Sequence, residues 1–256
     1  MLDQLPRPIL FAHRGASAHA PENTLAAFEL ALRQGADAIE LDAKLSKDKH
    51  VVVFHDQTVD RTTDGSGPVK SLTLAELRTL DAGSHYDIAF QGELIPTLEE
   101  VFRAVGQLTF INIELTNYDS IMDELPEKVA GLVRKHKISR RVLFSSFNPL
   151  ALIRIHKFIP EAPIGLLAAA GIRGALARSW LGNIFGYQSL HPNYKDVTRE
   201  LIERLHKHNR LMVAYTVNQP EDLQQLFRLG IDGVFTDDPV LARQVLANTD
   251  LEKSLP

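Results

Sequence analysis

Short apolar runs alternate with amphipathic stretches along most of this chain. Apolar residues in those stretches recur at helical spacing, as Leu25, Phe28 and Leu32 do. Each run and the stretch after it therefore form one strand–helix unit. The runs cover residues 9–12, 38–41, 110–115, 142–144, 164–167, 187–190, 211–217 and 234–235. About eight such units in 256 residues predict an α/β fold, a closed (β/α)8 TIM barrel, with a doubly wound open sheet as the alternative.

Capping patterns mark where several of these helices begin. Thr97 with Glu100 has the spacing of a capping box, and so has Thr73 with Glu76. No change of composition along the chain indicates a linker. We therefore expect residues 1–256 to form a single domain.

One apolar run, residues 51–54, follows the second strand too closely to be a barrel strand. A parallel crossover needs a dozen or more residues, so this short link predicts an antiparallel hairpin. With a turn centred on Asp48 and Lys49, Asp42 would face His55. The turn-rich segment that follows has no barrel strand. We expect residues 47–96 to form the hairpin and an inserted lid over the strand ends.

Composition excludes several classes of protein. The chain has no cysteine, which excludes disulfides, thiolate nucleophiles, zinc ribbons and iron–sulfur clusters. Its net charge is −4, without the basic surplus of a nucleic-acid-binding protein. The N-terminal apolar run is too short for a signal peptide, and no stretch is long enough for stable membrane insertion. A cytoplasmic location is therefore expected.

Two acids in the second strand indicate a metal site. Glu40 and Asp42 point to the same face of the strand, while Ile39 and Leu41 would face the surrounding helices. Two carboxylates inside a barrel repel each other unless a cation neutralises them. The alternative is a pair of solvated surface acids, which fits poorly with a strand buried on both faces.

Glu114 is the third acid, near the end of the 110–115 run and expected level with Glu40. Three carboxylates from adjacent strands form a hard oxygen site, suited to one divalent cation, Mg²⁺ or Ca²⁺, rather than zinc. The alternative is that Glu114 pairs with a lysine or arginine of the barrel.

Two histidines and an arginine complete the predicted site. His13 and Arg14 end the first strand, where an arginine can bind phosphate through two hydrogen bonds. The hairpin brings His55 close to Asp42. Two imidazoles beside the carboxylates can act as general acid and general base near neutral pH.

The start of the first helix offers weaker candidates. Asn23 is either a helix N-cap or a phosphate contact, since a helix start is also an anion site. Glu22 is either a partner of the helix dipole or an acid of the site. Further residues near strand ends are plausible pocket liners only: His191, Asn193, Tyr215, Asn218 and Asp237.

The most apolar part of the chain is residues 164–187. It could form an interfacial amphipathic helix. We favour a strand and a helix packed into the body of the protein.

In its order of motifs the chain resembles the glycerophosphodiester phosphodiesterase family, over residues 8–245. The motifs are His13-Arg14, Glu22-Asn23, Glu40 with Asp42, His55-Asp56 and Glu114, followed by Ser145 to Phe147, Tyr215 to Asn218 and Gly230 to Pro239. Each dipeptide is weak alone, but the ordered set is specific. The resemblance implies the phosphodiesterase type of TIM barrel with a small insertion after strand 2.

The resemblance also implies an activity in lipid and glycerol metabolism. A small-molecule glycerophosphodiester would be hydrolysed to sn-glycerol 3-phosphate and an alcohol such as choline or ethanolamine. By the same resemblance, His13 and His55 are the acid–base pair, and Glu40, Asp42 and Glu114 hold the metal. Arg14 contacts the phosphate, and Glu22, Asn23 and Tyr215 join the substrate site.

The chain departs from the family pattern at Thr116, where the family often has a phosphate-binding lysine. Two alternatives therefore stay open. One is a related lysophospholipase D, whose substrate acyl chain would meet residues 164–187. The other is a barrel that binds phosphodiesters without cleaving them. The sequence leaves the oligomeric state, the head group and the choice between Mg²⁺ and Ca²⁺ open.

Overall fold

The eight predicted barrel strands form a closed parallel barrel in the computed structural model, which describes residues 2–254. Within those residues there are nine strands: β1 (Ile9–Ala12), β2 (Ala38–Leu45), β3 (Val51–Val53), β4 (Phe110–Leu115), β5 (Val142–Ser146), β6 (Ile164–Ala168), β7 (Ser189–Pro192), β8 (Leu211–Ala214) and β9 (Gly233–Thr236). All except β3 are parallel to their neighbours, and β1 pairs with both β2 and β9, which closes the barrel. The predicted TIM barrel is confirmed, and the doubly wound sheet is wrong.

Helices connect the strands and cover the outside of the barrel. They are α1 (Leu25–Arg33), α2 (Leu74–Leu77), α3 (Leu98–Val105), α4 (Leu125–Lys135), α5 (Pro149–Phe158), α6 (Ala175–Arg178), α7 (Arg199–His206), α8 (Pro220–Leu229) and α9 (Pro239–Ser254). Both predicted capping boxes form, at Thr73 before α2 and at Thr97 before α3. Each gives the first turn of its helix acceptors for backbone N–H groups that would otherwise be unpaired.

The core has two layers, which set the place of the functional site. Outward-facing strand residues such as Ile39 and Leu41 pack against the helices in the larger cluster. Inward-facing residues near the amino ends of the strands form a second cluster inside the barrel, where the rings of Phe11 and Phe235 lie 4.8 Å apart. This apolar plug fills the barrel below Glu40, so the acids lie towards the carboxyl ends of the strands, where barrel active sites form.

The predicted hairpin exists, but its register differs by one residue from the predicted one. Ala43 pairs with Val53, so Asp42 lies opposite Phe54, whose N–H donates to the Asp42 carbonyl oxygen at 2.9 Å. The turn uses three residues rather than two, because Lys49 adopts a left-handed backbone with φ of 67°. The predicted pairing of Asp42 with His55 is therefore wrong. His55 reaches the site from the loop after β3 instead.

The segment after the hairpin has a small core of its own. Val59, Val69, Leu77 and Ile95 pack with residues of the hairpin in a separate apolar cluster. Backbone hydrogen bonds join the segment to the hairpin, for example from the N–H of Val53 to the carbonyl of Pro96 at 2.8 Å. The insertion is therefore attached to β3 as one unit.

The apolar segment 164–187 divides into two parts. Strand β6 is buried, as predicted, but the residues after it form short helices that leave large apolar side chains exposed. Ile172, Leu176 and Ile184 are 91%, 61% and 75% exposed. The prediction of a helix packed into the body is wrong here, because these turns are too short to present one continuous apolar face. Among residues 2–254, the structure has no helix with the length and apolar character needed to cross a membrane.

Candidate active site

Strand pairing brings the three predicted acids together. Asp42 on β2 lies beside Glu114 on β4, and Glu40 lies beside Asn112. The predicted level of Glu114 was therefore wrong by two residues, but its side chain still faces Glu40 and Asp42. One carboxylate oxygen from each of the three lies within 4.8 Å of the other two.

Burial and mutual repulsion make this cluster costly to ionise in the absence of a cation. Burial raises the pKa of Glu40 well above its ordinary value, and the charges of Asp42 and Glu114 add to the effect. Burial and the charge of Asp42 raise the pKa of Glu114 to about 8. One oxygen of Glu40, Oε1, is buried and has no hydrogen-bond partner among the described residues. These oxygens match a hard divalent cation, which would relieve the repulsion and use the unpaired oxygen.

Each acid is held in place by a different neighbour. The amide of Asn23 donates to Asp42 at 2.8 Å, and the backbone N–H of Arg14 donates to Glu40 at 2.8 Å. The hydroxyl of Tyr118 donates to Glu114 at 2.6 Å. Asn23 is not the N-cap of α1, because Thr24 fills that role. The Asn23 amide is engaged with Asp42, which favours a positioning role over the predicted phosphate contact.

The ring of His13 is oriented by an acid from the far end of the chain. Its Nδ1 lies 2.7 Å from Oδ1 of Asp237, which follows β9. Asn218 and Ser17 also donate to Asp237, and with His13 they lower the pKa of Asp237 despite its burial. Because an ionised carboxylate only accepts hydrogen bonds, Nδ1 of His13 is the donor. Nε2 is then the free nitrogen of the neutral ring.

His55 has the same arrangement with a different acid. Its Nδ1 lies 2.6 Å from Oδ1 of the adjacent Asp56. Arg61 donates to Asp56 at 2.6 Å, and this bond, together with His55, lowers the pKa of Asp56 to about 2 against the effect of burial. Arg61 also donates to both oxygens of Glu22. The insertion is thereby joined to the loop that follows β1.

Arg14 lies at the centre of the acidic side chains. Its guanidinium donates to Glu22 at 2.9 Å and lies 3.5 Å from Asp42. Burial works against the charge of Arg14, but Asp42 and Glu22 outweigh it and raise its pKa. The turn that follows Arg14 requires Gly15, because a Cβ there would lie 2.7 Å from the backbone of Ala27. Arg14 is thus a fixed cation beside the three acids.

These side chains surround one cavity of about 280 Å³. Its wall includes His13, Arg14, Glu40, His55, Glu114 and Tyr215, together with Phe147, Leu167 and Phe235. The Tyr215 hydroxyl donates to the carbonyl of Ala168 at 2.9 Å, so the ring and not the hydroxyl forms the wall. Tyr118, Phe147 and Tyr215 pack edge to face in a row, with ring centres 5.9 Å apart.

The residues predicted only as pocket liners have different roles in the structure. Asn218 and Asp237 support His13, as described above. His191 is fully buried next to Phe235, and burial lowers its pKa to about 3, so it is a neutral core residue. Asn193 caps a short 3₁₀ helix, from Tyr194 to Asp196. Neither His191 nor Asn193 lines the described cavity.

Four residues that contribute to the site carried no assigned role in the sequence interpretation: Asp56, Arg61, Lys44 and Tyr118. Asp56 is adjacent to His55 and could have been found by asking which carboxylate orients that imidazole. Lys44 continues the face of Glu40 and Asp42 at the next alternate position, which is a sequence signal as well. Tyr118 lies on a loop, where no periodicity points to Glu114.

Lys44 lies level with Thr116, the position at which this chain departs from the family pattern. Because Asp42 is level with Glu114, the next inward positions, Lys44 and Thr116, are level with each other. The Lys44 ammonium donates to the Thr116 carbonyl at 3.4 Å, and the Thr116 hydroxyl donates to the carbonyl of Ala43 at 2.8 Å. The strand pair therefore has a cation at this level, on β2 instead of β4.

Comparison with known proteins identifies the family. The model of the glycerophosphoryl diester phosphodiesterase family matches residues 13–241. A glycerophosphodiester phosphodiesterase of Caldanaerobacter subterraneus subsp. tengcongensis is 42% identical over 235 residues, which cover 91% of this chain and 95% of the relative. A Bacillus subtilis glycerophosphodiester phosphodiesterase is 35% identical over 254 residues, covering 93% of this chain and 86% of its own.

Solved structures agree. An Oleispira antarctica phosphodiesterase, in complex with the product sn-glycerol 3-phosphate, superposes with a TM-score of 0.88 at 32% identity, covering 96% of this chain and 98% of the other. A glycerophosphodiester phosphodiesterase of Agrobacterium tumefaciens has a TM-score of 0.80 at 32% identity, covering 92% of this chain and 99% of the other. The resemblance found in the sequence motifs is confirmed, and this chain belongs to the glycerophosphoryl diester phosphodiesterase family of enzymes.

Proposed function

We propose that this protein hydrolyses small glycerophosphodiesters to sn-glycerol 3-phosphate and an alcohol, using one divalent cation and two histidines. The observation that carries the proposal is the cavity with His13 and His55 on its wall beside three clustered carboxylates. Each imidazole has Nδ1 on a carboxylate, so each leaves Nε2 for proton transfer. The relative that is bound to sn-glycerol 3-phosphate supports the product.

The proposed active-site residues have three roles: cation binding, proton transfer and phosphate binding. Glu40, Asp42 and Glu114 would hold the cation, which when bound would neutralise charge on the phosphodiester and make a nearby hydroxyl more acidic. One imidazole takes the proton of the attacking hydroxyl, and the other gives a proton to the departing alkoxide. Arg14 donates to a phosphate oxygen.

The remaining candidates act at the edge of the reaction. The Tyr215 ring supplies an apolar wall against the glycerol carbons. Glu22 orients Arg14 and ties it to Arg61, and Asn23 orients Asp42. Glu22 and Asn23 are therefore proposed as positioning residues.

The proposal predicts cation-dependent release of glycerol 3-phosphate from glycerophosphocholine. EDTA should lower the rate by at least about 10³-fold, and adding back Mg²⁺ or Ca²⁺ should restore it, because several kcal/mol of charge stabilisation are lost with the cation. An enzyme-coupled assay for glycerol 3-phosphate measures this. Hydrolysis that persists fully in EDTA would refute the cation, and tight binding without hydrolysis would favour the non-catalytic barrel.

A second candidate, a lysophospholipase D, is favoured by the exposed apolar side chains after β6. Ile172 follows the carboxyl end of that strand, which is the end of the barrel that holds the cavity. Such side chains could contact an acyl chain while the head group enters the cavity. Choline release from lysophosphatidylcholine tests this, with Ile172→Ser as the variant expected to reduce it selectively.

We also propose that residues 47–96 act as a lid within a single domain. Two contacts join this unit to the loop after β1: Arg61 with Glu22, and the Tyr86 hydroxyl with the Ala18 carbonyl at 2.6 Å. Glu22 also accepts from Arg14, whose side chain lines the cavity, so the first contact lies next to the site. Breaking both contacts would leave the apolar core of the insertion intact, because neither Arg61 nor Tyr86 belongs to that core, and β3 would stay paired with β2.

The raised pKa values of the acids predict an unusual pH dependence of stability. In the cation-free protein, Glu114 binds its proton up to about pH 8, whereas the unfolded chain releases it near 4.5. The folded state therefore binds more protons between these values, and the free energy of unfolding falls as pH rises. The slope is at most about 1.4 kcal/mol per pH unit for each proton.

Urea unfolding in EDTA between pH 5 and pH 8 measures this slope. Glu114→Gln should flatten it, because the amide does not ionise. A saturating divalent cation should stabilise the protein most at high pH, where the acids are charged. An identical slope in Glu114→Gln and the parent would contradict the assigned pKa.

A further inference from the structure

A second cavity, of about 210 Å³, lies beside the active site on the side of the hairpin. Three of its wall residues lie two positions after an active-site residue in the sequence. Lys44 follows Asp42, Gln57 follows His55, and Thr116 follows Glu114. Two residues span about 7 Å along a strand. The second cavity therefore begins about 7 Å beyond the carboxylates, towards solvent.

The walls of this cavity contain more positive than negative side chains, four lysines against two aspartates. They contain the four lysines Lys44, Lys47, Lys49 and Lys70, and we call this space the lysine cavity. Lys70 pairs with Asp119 at 3.5 Å. Within residues 2–254, the other three have no carboxylate oxygen within 4.0 Å. The remaining acid of the wall, Asp123, accepts hydrogen bonds from Asn117 and from the N–H of Leu125.

Lys44 has unused capacity to bind an acceptor. Lys44 is only 6% exposed. Its one described hydrogen bond is the long contact to the Thr116 carbonyl. An ammonium group has three N–H donors, and a buried one is costly unless those donors are satisfied. An anionic group in the lysine cavity would satisfy them.

The alcohol portion of the substrate has room to extend in this direction. The active-site cavity, with His13 and the Tyr215 ring on its wall, has room for a glycerol phosphate near the acids. The other substituent of phosphorus then points away from that cavity. On the hairpin side it meets Lys44 and Gln57, one residue pair beyond the acids.

We propose that the lysine cavity binds the alcohol portion of the phosphodiester and favours alcohols that carry a negative charge, such as a second phosphate or a carboxylate. This inference rests on the proposed phosphodiesterase function. It places choline and ethanolamine, which are cations, among the poorer leaving groups. The preference weakens as ionic strength rises, because two of the free lysines are exposed and screened by salt.

The test compares kcat/KM for glycerophosphocholine, glycerophosphoglycerol and bis(glycerophospho)glycerol, whose alcohols are cationic, neutral and anionic. We expect the anionic alcohol to be preferred by the parent enzyme. In the double variant Lys47→Glu with Lys49→Asp, the ratio of anionic to cationic kcat/KM should fall by roughly tenfold or more, from two reversed charges at exposed positions. Lys44→Met should lower the same ratio.

The chain offers a matched control for the turn substitution. Lys137 is exposed and has a left-handed backbone, with φ of 57° against 67° for Lys49, and it precedes β5 at the opposite end of the barrel. Lys137→Asp makes the same substitution as Lys49→Asp, on the same left-handed backbone. It should leave the substrate ratio unchanged.

Each result decides between the possibilities. A ratio that is the same in the parent, the turn variant and Lys137→Asp would overturn the proposal, even if Lys44→Met does not fold. Inhibition of glycerophosphocholine hydrolysis by inorganic phosphate that disappears in the turn variant, without a change in substrate ratio, would assign the cavity to a free anion and also overturn it. No hydrolysis of any substrate would refute the phosphodiesterase function itself.

Discussion

Replacing Glu40 with Gln, or Asp42 with Asn, should lower kcat by roughly three orders of magnitude or more while the cation-free protein stays as stable as the parent or becomes more stable. The expected loss corresponds to several kcal/mol of transition-state stabilisation. Both side chains are at least 98% buried and face Glu114. An amide keeps their volume but binds a hard cation poorly.

The stability of these variants follows from the contacts that the acids make. Glu40 accepts from the N–H of Arg14, and Asp42 accepts from the amide of Asn23. The oxygen of a Gln or Asn side chain can accept the same hydrogen bonds, so little native structure is lost. Removing one charge relieves the repulsion that holds the pKa of Glu40 high, in addition to the effect of burial.

The measurements are kcat with glycerophosphocholine, and the Tm in EDTA and in saturating cation. The parent should gain Tm on adding the cation, and the variants should gain little. Glu203→Gln, at an exposed position of α7, is the matched control and should behave like the parent. A large loss of Tm in EDTA, with the cation effect intact, would identify Glu40 and Asp42 as structural acids.

The fold follows from local patterns that tertiary packing does not override. Strands β1 and β4 have the bounds of their apolar runs, residues 9–12 and 110–115, because each run is buried on both faces of the barrel wall. The inward placement of Glu40 and Asp42 follows from the alternation of strand side chains alone. Closure follows from the number of strand–helix units in a chain of this length.

The errors arise where the chain conformation depends on one residue or on distant contacts. The hairpin register changed because Lys49 takes a left-handed conformation that its sequence does not announce, and a one-residue slip exchanges the faces of a strand. The level of Glu114 depends on the stagger between β2 and β4, which no single strand encodes. Asn23 lost its predicted cap to Thr24 because its own backbone, with φ of 58°, turns its amide towards Asp42.

The partners of the two histidines show the same division. Asp56 is adjacent to His55, so a local interpretation can find it. Asp237 is 224 positions from His13, and only closure of the barrel between β9 and β1 brings them together. Sequence can therefore name the two imidazoles and Asp56, but the pairing of His13 with Asp237 requires the fold.

The two oriented imidazoles predict that hydrolysis needs a hydroxyl next to the phosphodiester. His13 is anchored from the side of β9 and His55 from the insertion, so they approach the cavity from different elements. In-line displacement needs a base on the attacking side and an acid on the leaving side. The glycerol 2-hydroxyl can attack phosphorus, forming a cyclic phosphate as the bond to the alcohol breaks. Water then opens the ring to give glycerol 3-phosphate.

A substrate without the 2-hydroxyl should therefore bind with similar affinity and turn over far more slowly. Attack from within the same molecule has an effective molarity of roughly 10⁵ M or more over an external nucleophile. Each of His13→Ala and His55→Ala should separately lose roughly 10²–10⁴-fold in kcat, as expected for one missing acid or base. His208→Ala, at an exposed position, is the matched control and should keep the kcat of the parent. His191→Ala is unsuitable because that residue is buried.

The readouts are kcat and KM for glycerophosphocholine and its 2-deoxy analogue, with the cyclic phosphate followed by ³¹P NMR. The histidine variants should lose kcat with little change in KM, because the rings move protons and do not anchor the phosphate. If the deoxy analogue is cleaved as fast as glycerophosphocholine, water is the nucleophile and the cyclic route is wrong. In that case the histidine variants should still lose kcat, because direct attack by water needs the same base and the same acid on the two sides of phosphorus.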